Sequence, residues 1–160
     1  NGEVWEIARR SPGVRVIIKN SDGTYKLSNE FRQEHGKRDI RLAGGKVFDT
    51  QDEYLSHQTS GSDILEAARD AAIREAEEEL GIINPKSVEF IEKSVLGTTV
   101  EWDLYVFELS DFEQGKPNTH GMEDIESINL TKDQILSAIE SGEFNEDRIV
   151  PVLLRYLKDK

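Results

Sequence analysis

Apolar and polar positions change period several times along this chain, and the changes mark out its elements. Val14-Arg15-Val16-Ile17-Ile18 is a compact β-branched run, which predicts a strand. Asn20-Ser21-Asp22-Gly23 then supplies turn chemistry before Thr24-Tyr25-Lys26-Leu27, so the two runs predict a hairpin. Phe31-Arg32 and a polar loop through Gly36 precede Ile40–Phe48, which carries Gly44-Gly45 at its centre. Residues 49–63 are polar and turn-rich. They predict an inserted surface segment with one short helical turn around Tyr54.

Helical period follows. Ser62 or Asp63 is placed to cap a helix to about Leu80, with Gly81 as the left-handed residue that stops it and Pro85 beyond. Val88–Val95 and Thr99–Leu109 predict a second pair of strands. In the latter, Val100, Trp102, Leu104 and Val106 alternate with Glu101, Asp103, Tyr105 and Phe107, so its C-terminal half is expected to be buried on both faces. A polar loop over 110–124 leads to a strand at Ile125–Leu130. Thr131 and Gln134 have capping-box spacing for a helix to about Glu140. Ser141-Gly142 breaks that helix, and a last one carries Ile149–Leu157. Strands with three interspersed helices predict a mixed α/β layered fold.

At 160 residues the chain is expected to form a single domain over residues 1–160. Hydrophobic residues are 36% of it, but they are clustered in the runs above, which argues against disorder. Lys+Arg number 20 and Asp+Glu 32, a net charge of 20 − 32 = −12. A surface so acidic predicts no DNA or RNA partner and no anionic membrane, since those require basic groups. Phosphorylated ligands stay open, because a divalent metal can bridge carboxylates and phosphates. There is no cysteine, which excludes thiol catalysis and disulfide scaffolds, and His35, His57 and His120 stand apart without metal-ligand spacing. No apolar run approaches a membrane span, so a cytoplasmic location is the expectation.

The informative stretch is Arg74-Glu-Ala-Glu-Glu-Glu-Leu-Gly-Ile82. An acidic run on a helix is commonly a solvated face. At about 100° per residue, however, Glu75, Glu78 and Glu79 share a sector with Ile64, Ala68, Ala71 and Ala72, while Glu77 points away. Three carboxylates on the core-facing side repel one another unless a cation neutralises them, and a hard ion with oxygen ligands, Mg²⁺ or Mn²⁺, suits that set.

The same stretch resembles the second half of the Nudix box: Arg-Glu, an aliphatic, any residue, Glu-Glu, any residue, Gly, an aliphatic. Every fixed position is met here. Glu66 stands where the first half of the box has its Glu, with Ala67–Ile73 between it and Arg74; Ser60 stands where the Gly is expected, and Gly44-Gly45 look displaced upstream by the 49–63 insertion. On the wheel Glu66 lies opposite the carboxylate cluster, so it is taken as a structural partner of Arg74. Glu30-Phe31-Arg32 before Leu42-Ala43-Gly44-Gly45, and Glu123-Asp-Ile-Glu126 before a strand and helix, resemble the ADP-ribose pyrophosphatase branch. That branch usually has Glu and Pro where Ile40 and Leu42 stand here.

The resemblance implies a Nudix fold, an α/β/α sandwich with a mixed β-sheet. It also implies metal-dependent hydrolysis of a nucleoside diphosphate linked to another group. ADP-ribose, cleaved to AMP and ribose 5-phosphate, leads; a sugar nucleotide, a dinucleoside polyphosphate or a non-catalytic nucleotide sensor are the alternatives. Glu75, Glu78 and Glu79 would ligate Mg²⁺ or Mn²⁺, joined by the backbone carbonyl of Ala43 or Gly44. Arg74 would orient them. Glu123 is the candidate general base, with Glu126 second. Arg32 would contact phosphate beside the Gly44-Gly45 loop, with structural ion pairing as its plain alternative; Phe31 and Trp5 would stack on a base, with core or interface packing the favoured alternative for each. The resemblance further implies a homodimer.

Overall fold

The computed structural model describes residues 4–33, 36–118 and 125–159. In chain order these form β1 (Ala8–Arg9), β2 (Gly13–Lys19), β3 (Tyr25–Arg32), β4 (Lys37–Arg41), α1 (Gln51–Ser60) and α2 (Ile64–Leu80). There follow β5 (Ile82–Ile83), β6 (Ser87–Ser94), β7 (Val100–Glu101), β8 (Leu104–Ser110), β9 (Glu113–Gln114), β10 (Ile125–Leu130), α3 (Lys132–Ser141) and α4 (Val150–Lys158).

The main sheet runs β10-β3-β2-β8-β6, with β4 also paired to β3. β2 and β8 are parallel at its centre, and the remaining pairs are antiparallel. Alternation along the two central strands sorts their side chains between two cores. Val14, Val16 and Ile18 of β2 and Tyr105, Phe107 and Leu109 of β8 pack with Ala68, Ala71, Ala72 and Ala76 of α2. Ile17, Leu104 and Val106 face the other way, onto Ile135 of α3 and Val152, Leu153 and Leu157 of α4. Helices therefore cover both faces of a mixed sheet, as expected. No described helix is long and apolar enough to cross a membrane.

Glu108 is the polar exception on β8. It points into the α4 side, is 7% exposed, and accepts a 2.8 Å hydrogen bond from the Tyr156 hydroxyl.

Two segments differ from the sequence expectation. Residues 51–60 form a full helix rather than one turn. Its N-cap Thr50 and Glu53 make a reciprocal capping box, and Gly61 ends it in the left-handed conformation. None of its residues is buried, so it has no apolar stripe to read. Phe48, tilted at 4.9 Å from His57 and stacked 5.7 Å from Tyr54, holds it to the body.

The predicted strand 99–109 is divided into β7 and β8 at Trp102-Asp103. Arg10 and Arg148 lie over the Trp102 ring at 4.4 and 4.8 Å, and Arg148 Nη2 donates to the Trp102 carbonyl at 2.8 Å. The indole sits beside two guanidiniums and the carbonyl accepts from a side chain, so regular pairing stops there.

Candidate active site

The site begins where β2 leaves β3. Those strands pair only at Ile18–Lys26 and Lys19–Tyr25. Beyond that point β4 takes over the β3 edge, from Ser28–Arg41 to Arg32–Lys37. The chain after β4 then replaces β3 as the partner of β2: Val16 N–H donates to the Ala43 carbonyl and Val14 N–H to the Gly45 carbonyl, each at 2.9 Å. The glycine-bearing stretch is thus inserted into the sheet. Gly44 has φ +154°, and a Cβ there would run into the Val14 carbonyl and come 3.1 Å from the Arg15 Cα, so only glycine fits.

Helix α2 lies across this stretch. Asp63 caps it through the Leu65 N–H, and Gly81, left-handed at φ +67°, closes it with its N–H on the Ala76 and Glu77 carbonyls. The four buried alanines bring the helix close to the sheet. Glu75, Glu78 and Glu79 are each half-buried, whereas Glu77 and Glu66 are exposed.

Each acid meets the glycines differently. The Gly44 N–H donates to Glu79 Oε2 at 3.2 Å. The Glu75 carboxylate fills the space a Gly45 side chain would take, a Cβ there falling 2.5 Å from its Cδ. Arg74 joins the two elements: its Nη2 donates to the Lys46 carbonyl at 2.8 Å and to Glu75 Oε1 at 3.1 Å. Burial pushes the Glu75 carboxyl above its usual range; the Arg74 hydrogen bond and charge oppose the shift, and neighbouring Glu78 adds to it.

An all-oxygen donor set, crowded with like charge and partly desolvated, fits a hard divalent cation. Among the described residues, no three acidic or imidazole groups form a ready-made metal cage. Glu75 is turned to Arg74 and Glu79 to the Gly44 N–H. The Ala43 carbonyl already accepts from Val16, with one lone pair left for another partner.

A polar cavity of about 100 Å³ adjoins Glu79 and Gly44, lined also by Arg15, Glu30, Arg32 and Arg41. Arg32 pairs with Glu30 at 3.1 Å. Phe31 is 44% exposed and Trp5 71%, so neither belongs to the core. Glu126 is largely exposed and pairs with Arg38 at 3.4 Å. Glu123, His35 and His120 lie outside the described residues. Of the described residues on either side of 119–124, the Asn118 N–H binds the Glu78 carbonyl at 2.8 Å and Ile125 lines the cavity with Glu79.

Sequence reasoning missed Arg15, Arg41 and Glu146. Arg15 Nε contacts Glu146 Oε1 at 2.5 Å, and Arg41 Nη2 lies 3.3 Å from the same oxygen. One signal was available: Arg15 interrupts a β-branched run on a strand whose other residues are mostly buried.

The architecture is a three-layer α/β fold that pins one acidic helix to a glycine loop. The NUDIX domain family model matches residues 9–152, and the chain belongs to the Nudix hydrolase family. Many solved structures share its fold, and two illustrate it. The crystal structure of an ADP compounds hydrolase superposes with a TM-score of 0.68 at 19% identity, covering 94% of this chain and 77% of that one. A MutT structure, from a comparison of the Aliivibrio salmonicida and Vibrio cholerae proteins, gives 0.59 at 19% identity, covering 93% and 97%. Among curated proteins, none matches the chain significantly.

Proposed function

We propose that this hydrolase cleaves the diphosphate bond of a nucleoside diphosphate linked to another group, with ADP-ribose, giving AMP and ribose 5-phosphate, as the leading substrate. The carrying observation is the half-buried face of Glu75, Glu78 and Glu79 laid against Gly44-Gly45. The fold shared with an ADP compounds hydrolase supports the choice of substrate.

Glu75, Glu78 and Glu79, with the Ala43 carbonyl, would hold Mg²⁺ or Mn²⁺. Such a cation, when bound, neutralises phosphate oxygens and acidifies the attacking water. Arg74 fixes the Glu75 carboxylate against the loop and keeps it from drifting. Glu123 is the proposed acceptor of the water proton. Arg32 binds a phosphate oxygen. Phe31, between Glu30 and Arg32 on β3, is exposed on the other face of the strand and is not among the cavity's lining residues, so a base would reach it only outside that cavity.

The test is product analysis with a panel of ADP-ribose, GDP-mannose, UDP-glucose and diadenosine polyphosphates, with and without Mg²⁺. Metal-dependent release of AMP from ADP-ribose ahead of the others is expected. Preference for another member moves the substrate, and no cleavage with either metal overturns the catalytic reading.

A further inference from the structure

A charged side chain on a central strand is costly unless it is paired. Arg15 meets that condition through the Glu146 contact and an Nη1 hydrogen bond to the Val14 carbonyl at 2.9 Å. The side chains of Arg15, Arg41 and Glu146 are 13%, 19% and 10% exposed. One carboxylate oxygen therefore holds two guanidiniums, and Glu146 Oε2 is buried without a hydrogen-bond partner. The trio carries +2 − 1 = +1 charge in a protein of net charge −12.

Both guanidiniums line the polar cavity that borders Glu79. At about 100 Å³ the cavity is well below the roughly 300–1,000 Å³ of a site for a whole small molecule, so it takes one group of a ligand. Arg32, the third arginine there and the phosphate contact proposed above, is balanced by Glu30, so the excess of donors over carboxylate lies with Arg15 and Arg41. Two guanidiniums that share one carboxylate, fork-shaped donors and small volume together suit a tetrahedral oxyanion, with Glu79, also on the cavity wall, as the acid that a metal would answer.

We propose that Arg15 and Arg41, clamped by Glu146, form a fixed anion subsite that receives one phosphate of the substrate's diphosphate, beside the phosphate presented to Glu75, Glu78 and Glu79. The proposal rests on the diphosphate-hydrolase reading above and assigns specificity to residues outside the acidic helix. Glu146 is a positioning residue: it holds both guanidiniums at the cavity wall. A ligand with a neutral group in place of that phosphate would leave the subsite's charge unanswered.

Calorimetric titration of chelator-treated protein with inorganic pyrophosphate reads the subsite without turnover. Arg41→Gln should weaken binding about tenfold or more, as loss of a charge-assisted hydrogen bond does. Glu79→Gln, which abolishes the proposed hydrolysis, should leave that binding intact or tighter. In turnover, Arg41→Gln should raise KM about tenfold with kcat within about threefold. Glu146→Gln should show the same KM-weighted pattern more weakly. Wild-type pyrophosphate affinity in folded Arg41→Gln, checked by thermal melting, overturns the subsite even if the enzyme cleaves its panel. Should Arg15→Gln fail to fold, the more exposed Arg41 carries the decision. Absence of cleavage alongside Arg41-dependent pyrophosphate binding would instead overturn the catalytic reading and leave the subsite standing.

Discussion

Gly45 and Glu75 compete for one space: the carboxylate lies where the glycine has no side chain, 2.5 Å from the position a Cβ would occupy. Gly45→Ala should therefore push Glu75 off the loop and off Arg74 while leaving the two cores untouched. Catalysis should fall about a hundredfold, the scale expected for a displacement near 1 Å, with little change in melting temperature. Activity assays on a variant of confirmed fold check it; near-normal turnover would show that the Glu75 position is not needed.

Glu79→Gln keeps an acceptor for the Gly44 N–H and removes only the charge. Turnover should drop by at least about a hundredfold with the far-ultraviolet spectrum unchanged, because a hard cation loses an anionic ligand. Loss within about threefold would sink the metal assignment.

Tyr156 and Glu108 couple stability to alkaline pH. Burial raises the Tyr156 phenol well above its ordinary value, with the hydrogen bond and charge of Glu108 adding to it. The phenol stays neutral in the folded state and ionises near pH 10 when unfolded. Its contribution is fully present below about pH 10 and declines as pH rises beyond it. Tyr156→Phe should cost about 1–3 kcal/mol at neutral pH, since Glu108 is left buried with one partner fewer. Its unfolding free energy should also fall less steeply above pH 10 than that of the wild type, and denaturant melts across pH 8–11 read both.

Thr50→Ala should loosen α1 alone. The cap is worth about 1 kcal/mol, and α1 buries no residue of its own. Amide exchange should quicken over 51–60 while protection in α2 and β8 holds. Collapse of protection in α2 as well would show that α1 is part of the cooperative core. Deleting 50–60 is expected to change substrate preference more than metal dependence.

Where the sequence was legible, local chemistry and periodicity agreed. Asp63 and Gly81 bound α2 by capping and a left-handed stop, and the wheel separates exposed Glu77 from its half-buried neighbours. Where it was not, the cause was a partner far away in the chain. Nothing near Trp102 announces that Arg10 and Arg148 will gather at its ring and end a strand. Arg15, Arg41 and Glu146 are separated by up to 131 positions, so no local pattern could join them. The helix at 51–60 is longer than the single turn expected around Tyr54 for the opposite reason: its signal is a capping box with no apolar stripe behind it.

The parting of β2 from β3 has a mechanical consequence. Because the backbone bonds of β2 pass from one neighbour to an interposed loop, the cleft is a fork built into the sheet's own weave. Side chains lining a fork of this kind can be exchanged without closing it. The opening is thus written in main-chain connectivity, and the guanidiniums of Arg15, Arg32 and Arg41 stand on its banks.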